Sequence, residues 1–138
     1  MAKVLVIEDN ADVRSVICRA LQRVGHTVLE GADGQEGFDQ VLRHRLDLVI
    51  TDILMPGQEG IETIQQIKRL EPDLPIIAIS GVMREGAFSV LDDALLMGAD
   101  LALEKPFDAL ALIAAVERTL RARAESNLDP PAPMEGSA

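Results

Sequence analysis

Short apolar runs of strand length alternate along this chain with stretches of helical spacing, and few folds accommodate that order. Val4-Leu5-Val6-Ile7, Thr27-Val28-Leu29, the run from Leu46 to Thr51, Pro75-Ile76-Ile77-Ala78-Ile79 and Leu101-Ala102-Leu103 read as strands. Between them, apolar residues recur every three or four positions. The first helix carries Val13, Val16, Ile17, Ala20, Leu21 and Val24, with Asn10 as N-cap and Gly25 as the stop. Ala32-Asp33-Gly34 turns into a helix bearing Phe38, Val41 and Leu42. A third helix places Ile61, Ile64, Ile67 and Leu70 on one side and ends before Pro72. A fourth spans about 86–97 and stops at Gly98, and Asp108 caps a last helix with Leu110, Ile113, Val116 and Leu120 inward.

Strand–helix alternation implies a parallel sheet with right-handed crossovers and helices on both faces. The near-continuous apolar character of Leu46–Thr51 fits a strand buried on both sides. The predicted architecture is an α/β, flavodoxin-like doubly wound (βα)5 fold with a five-stranded parallel sheet of order 2-1-3-4-5. One domain over residues 2–121 uses most of the 138 residues. Residues 124–138, with Pro130-Pro131-Ala132-Pro133, lose all periodicity and read as a disordered tail or a linker.

Composition removes several classes of function. A net charge of −10 and three Phe without Tyr or Trp leave neither a phosphate-backbone footprint nor a stacking platform, which argues against direct nucleic-acid binding. No apolar stretch is long enough to span a membrane, and Met1-Ala2-Lys3 does not open a signal peptide, so a cytoplasmic protein is expected. The single cysteine, Cys18, sits in a helical apolar pattern and reads as a buried small hydrophobe. His26 and His44 fall at element ends and read as solvated, and Phe107 as a core anchor of the last helix.

The chemistry lies at the strand ends. Val4–Ile7 runs into Glu8-Asp9, and Leu48–Thr51 runs into Asp52. In the order 2-1-3-4-5 these strands are neighbours, so their carboxylates share the crevice at the carboxyl ends of the strands, where ligands bind in open α/β sheets. Clustered carboxylates are costly unless a cation neutralises them, and hard oxygens that do not form a full cage suit Mg²⁺. A carboxylate can also attack phosphorus to give an acyl phosphate. Strands four and five deliver the hydroxyl of Ser80 and the ammonium of Lys105 to the same edge, where they can hold oxygens of a transferring phosphoryl group. Each pair taken alone (Glu8-Asp9, Ser80-Gly81 or Lys105-Pro106) reads as an ordinary turn; their joint placement carries the signal.

Glu8-Asp9, Asp52 with Met55-Pro56, Ser80-Gly81, Gly98-Ala99-Asp100 and Lys105-Pro106-Phe107 together resemble the receiver domain of two-component response regulators. The resemblance implies a stand-alone phosphorylation-activated switch that signals by protein–protein contact. It implies Asp52 as phosphoacceptor, loaded by a histidine kinase or phosphotransfer protein. It further implies Mg²⁺, with Mn²⁺ an alternative, held by Asp9, Asp52 and the backbone carbonyl of Leu54, with Glu8 acting through water. Ser80 and Lys105 would sense the phosphoryl group, and the peptide bond before Pro106 is a cis candidate. The output protein is unknown; output would use the face of the fourth helix, fifth strand and fifth helix, as a monomer or a dimer.

The chain departs from the family where Ala102 stands in place of an aromatic switch residue, since alanine has no rotamer to change. Leu54 and Val82 are apolar and cannot orient a hydrolytic water, which implies a slowly hydrolysed phosphoryl-aspartate. The chain is thus expected to catalyse only its own phosphorylation and slow dephosphorylation. An aspartyl-phosphate hydrolase is disfavoured because Leu54 cannot protonate a leaving group. A never-phosphorylated interaction module is disfavoured by the complete acidic set. The alternative kept open is the receiver module of a longer regulator, truncated before its output domain.

Overall fold

In a computed structural model, residues 2–53, 60–80, 95 and 98–128 are described. Their elements are β1 (Lys3–Ile7), α1 (Ala11–Arg23), β2 (Thr27–Gly31), α2 (Gly34–Arg43), β3 (Leu48–Asp52), α3 (Gly60–Leu70), β4 (Ile76–Ser80), β5 (Leu101–Glu104) and a C-terminal helix (Ala109–Leu128). The strands form one five-stranded sheet of order β2-β1-β3-β4-β5, parallel throughout. The predicted flavodoxin-like order is therefore the observed one. The helix expected over about 86–97 lies outside the described residues, as do Leu54, Gly81 and Val82.

The sheet separates two apolar compartments. Leu5, Ile7, Val49, Ile76 and Ala78 face Val41 of α2 with Ile64 and Ile67 of α3. Val4, Val6, Leu48, Ile50, Ile77 and Ile79 face Ile17 and Leu21 of α1 with Leu112, Ala115 and Val116 of the C-terminal helix. Every residue of β3 and β4 is buried, so these strands show no apolar–polar alternation. Fully burying a Leu or Ile side chain contributes about 1.5–3 kcal/mol, which makes the two compartments the main stabilising term.

Local signals set the helix ends. Asn10 Oδ1 accepts from the N–H groups of Asp12 and Val13, and Asp33 Oδ1 from Glu36 N. Asp108 Oδ1 accepts from Ala111 N at 2.7 Å. Gly25, with φ 97°, stops α1, and Gly98, with φ 126°, follows the helical residue Leu95. Cys18 is buried, and burial pushes its thiol up to about 11, with the charge of Glu30 adding to the shift and Arg14 opposing it.

Several details differ from expectation. The C-terminal helix turns Leu112, Ala115, Val116 and Thr119 inward, leaves Ile113 and Leu120 half-buried, and exposes Leu110. The same helix continues to Leu128, past the boundary that composition suggested near residue 124. The Arg-Ala-Arg-Ala-Glu segment is made of strong helix formers. Arg123 Nη1 also ties the helix to the Asp47 carbonyl at 3.0 Å. Val16, Val24, Leu42 and Leu70 are exposed although they match the helical period. His44 is exposed, but His26 is buried: its Nδ1 accepts from Ala2 N at 3.3 Å, and its Nε2 lies 3.4 Å from Glu117 Oε2 without hydrogen-bond geometry. The C-terminal helix covers this ring, a burial that residue 26 alone does not announce.

Candidate functional site

Pairing of β1 with β3 places Ile7 opposite Thr51, so the residues that follow, Glu8 and Asp52, emerge side by side at the carboxyl edge. Glu8 is 1% exposed and Asp52 5%, whereas Asp9 faces solvent. Carboxylate oxygens of Glu8, Asp9 and Asp52 lie within 4.8 Å of one another. The loop that carries the first two is fixed at both ends. Glu8 N donates to Gly31 O at 3.0 Å, and Glu8 Oε2 accepts from Asn10 N at 3.1 Å.

Lys105 reaches this cluster from the turn after β5. Its Nζ stands 2.9 Å from Glu8 Oε1 and 3.1 Å from Asp52 Oδ2. Its backbone N donates to the Ser80 carbonyl at 2.7 Å, which joins the ends of β4 and β5, and the Lys105–Pro106 peptide bond is cis. Ser80 is fully buried at the end of β4, one residue beyond the Ile79 that pairs with Asp52. Ala102 lies in the middle of β5, paired with Ala78 and half-buried.

Electrostatics at the site follow from burial. Glu8 is pushed up to about 7, chiefly by loss of water; its bonds to Lys105 and Asn10 N oppose this, and the charge of Asp52 adds to it. Burial pulls the Lys105 ammonium down, but its bonds to Glu8 and Asp52 and their charges outweigh that pull and raise it. The ammonium thus stabilises carboxylates that would otherwise repel across a few ångström. All-oxygen donors at this spacing, in an incomplete cage open through exposed Asp9, fit a hard divalent cation such as Mg²⁺.

The structure brings together Glu8, Asp9, Asp52 and Lys105 and sets Ser80 on the adjacent strand end. Two features were missed in the sequence. Glu8 bonds Lys105 directly, and Arg14 bonds the Glu8 carbonyl at 2.6 Å and Glu30 at 2.9 Å. Arg14 lies one turn into α1, where an arginine ordinarily reads as a solvated helix cation, so only the tertiary fold reveals its contacts.

Comparison with known proteins agrees with this geometry. The family model "Response regulator receiver domain" matches residues 4–117. The chain is 34% identical over 137 residues to the DNA-binding transcriptional regulator NtrC of Azospirillum brasilense, covering 99% of this chain and 27% of that protein. It is 38% identical over 121 residues to the uncharacterized transcriptional regulatory protein YrkP of Bacillus subtilis, covering 86% of this chain and 49% of that one. The chain therefore spans a quarter to a half of the length of these relatives. Among solved structures, the receiver domain of NtrX from Brucella abortus superposes with a TM-score of 0.80 at 31% identity, over 86% of this chain and 98% of that one. A response regulator receiver domain protein from Clostridium thermocellum gives a TM-score of 0.84 at 28% identity, over 91% of this chain and 99% of that one. With the five-stranded order, the edge-on carboxylates and a family match over most of its length, the chain belongs to the response regulator receiver domains.

Proposed function

We propose that Asp52 accepts a phosphoryl group from a histidine kinase or phosphotransfer protein and that the chain acts as a phosphorylation-activated switch. One observation carries this reading: a buried Asp52 carboxylate lies 3.1 Å from the Lys105 ammonium and beside Glu8 and Asp9. An Asp52 oxygen attacks phosphorus, the bond from phosphorus to the donor nitrogen breaks, and an acyl phosphate forms. Asp9, Asp52 and the Leu54 carbonyl would hold Mg²⁺, with Glu8 acting through water. Once bound, the cation supplies charge neutralisation to the phosphoryl oxygens. Lys105 then exchanges a carboxylate partner for a phosphoryl oxygen, and Ser80 supplies a hydroxyl donor from the next strand.

An apolar groove beside Lys105, about 330 Å³ and lined by Val13, Val16, Ile17, Pro106 and Phe107, supports a protein as donor. Among the described residues no helix is long and apolar enough to cross a membrane, and we place the switch in the cytoplasm with its kinase. The length of the relatives favours a second form of the same reading, in which this receiver is the regulatory module of a longer regulator. Its catalysis is limited to its own phosphorylation and slow dephosphorylation. Incubation with acetyl phosphate and Mg²⁺ tests the reading by intact mass. One added phosphoryl group is expected, absent in Asp52→Asn; addition to both proteins, or to neither, overturns it.

A further inference from the structure

We propose that Arg14 is a positioning residue for the acidic site, bracing the peptide between Glu8 and Asp9 so that their carboxylates keep the spacing a divalent cation needs. The inference rests on the reading of Glu8, Asp9 and Asp52 as a metal and phosphoryl site.

β1 ends at Ile7, so the main chain at Glu8 and Asp9 leaves the sheet just where the ligand spacing is set. Glu8 N is held by the Gly31 carbonyl of β2 at 3.0 Å. The Glu8 carbonyl accepts from Arg14 Nη1 at 2.6 Å. That carbonyl belongs to the same planar unit as Asp9 N, so fixing it fixes the plane on which both acidic side chains are mounted. The guanidinium is itself anchored: its Nε donates to Glu30 Oε1 at 2.9 Å, and its side chain is only 18% exposed. Glu30 lies on β2 in register with Val6 of β1, so the brace is tied to the sheet that carries the site. A planar fork with donors on two edges can join a carboxylate and a carbonyl at once, which an ammonium cannot do in the same geometry.

Two roles for this arginine predict opposite signs. As a charge alone it repels a cation at the neighbouring carboxylates, and removing it would tighten Mg²⁺ binding. As a brace it holds mutually repelling carboxylates in place, and removing it would weaken binding. Groups that orient metal ligands typically cost about 10–100-fold in affinity when removed, which exceeds what a partly screened charge returns.

Calorimetric titration of Mg²⁺ into wild type, Arg14→Gln, Arg14→Lys and Glu30→Gln decides between the two. The expected result is a dissociation constant about tenfold higher in Arg14→Gln, an intermediate rise in Arg14→Lys and a smaller rise in Glu30→Gln. The Mg²⁺ concentration for half-maximal phosphoryl uptake from acetyl phosphate should rise by the same factors. Unchanged or tighter binding in Arg14→Gln, with wild type binding normally, overturns the brace and leaves the site reading intact. Wild type that binds no Mg²⁺ overturns both. If Arg14→Gln does not fold, Arg14→Lys and Glu30→Gln carry the comparison, and wild-type affinity in both overturns the proposal.

Discussion

Glu8 is the residue whose chemistry the fold changes most. In the unfolded chain it titrates near 4.5, and burial raises it to about 7 in the folded protein. Between those values the folded state keeps a proton that the unfolded state has lost, so Glu8 makes the protein less stable as pH rises through that window. Below the window both states are protonated; above it the destabilisation is complete. In chelator, the stability of wild type relative to Glu8→Gln should therefore fall from pH 4.5 to pH 7.5, by on the order of 1–3 kcal/mol. Thermal unfolding of both proteins across that range checks it, and a flat difference would mean that Glu8 titrates alike in the folded and unfolded chain. Saturating Mg²⁺ should weaken the trend, because a cation at the neighbouring carboxylates favours the ionised form of Glu8. The identity of this residue was legible in the sequence. Its contact with Lys105 was not, because that bond joins residues 97 positions apart.

Elements were read best where burial is two-sided. β3 and β4 are buried throughout and apolar up to their closing Thr51-Asp52 and Ser80, so their runs identify them directly, with ends shifted by a residue or two. Helix faces were read less well. The C-terminal helix begins Ala-Leu-Ala-Leu-Ile-Ala-Ala-Val, apolar all around, so a period of three or four fits more than one face. The helix buries the expected Val116 together with Leu112 and Ala115, leaves Ile113 and Leu120 half-buried, and exposes Leu110. α2 presents the opposite case: a Cβ at Gly37 would collide with the Ile7 side chain, so this helix lies unusually close to β1. Gly37→Ala should cost about 1–3 kcal/mol by overpacking, despite the better helix propensity of alanine, and chemical denaturation will measure it. A neutral or stabilising result would show that Ile7 repacks without penalty.

Across the whole molecule, ligand binding and folding are linked through one edge of the sheet. If Mg²⁺ is held by the assembled carboxylates, as proposed, and not by the dispersed chain, it should raise the unfolding free energy by about 2.7 kcal/mol at a hundred times its dissociation constant. Thermal scans with and without Mg²⁺ check this, and Asp52→Asn should show a smaller gain; equal gains would place the ion elsewhere. The overall architecture was legible because alternation implies a parallel sheet, and the flavodoxin-like order 2-1-3-4-5 is one that brings Glu8, Asp9 and Asp52 into one crevice. The buried His26 and the Arg14–Glu30 bridge were not, since each joins elements whose facing surfaces no local pattern encodes.

The division of the interior by the sheet also orders what can respond to the site. Along β4, Ile77 and Ile79 point into the compartment of α1 and the C-terminal helix, while Ile76 and Ala78 point to α2 and α3. On β5, Leu101 and Leu103 share the first compartment with Phe107 and Leu112. A displacement of the strand ends at Ser80 and Lys105 thus meets large side chains on one side and, at Ala78 paired with Ala102, two methyl groups in mid-strand. Alanine at 102 offers no ring to rotate, and among the described residues the helical side chains gathered with Ile77, Ile79, Leu101 and Leu103 are those of α1 and the C-terminal helix.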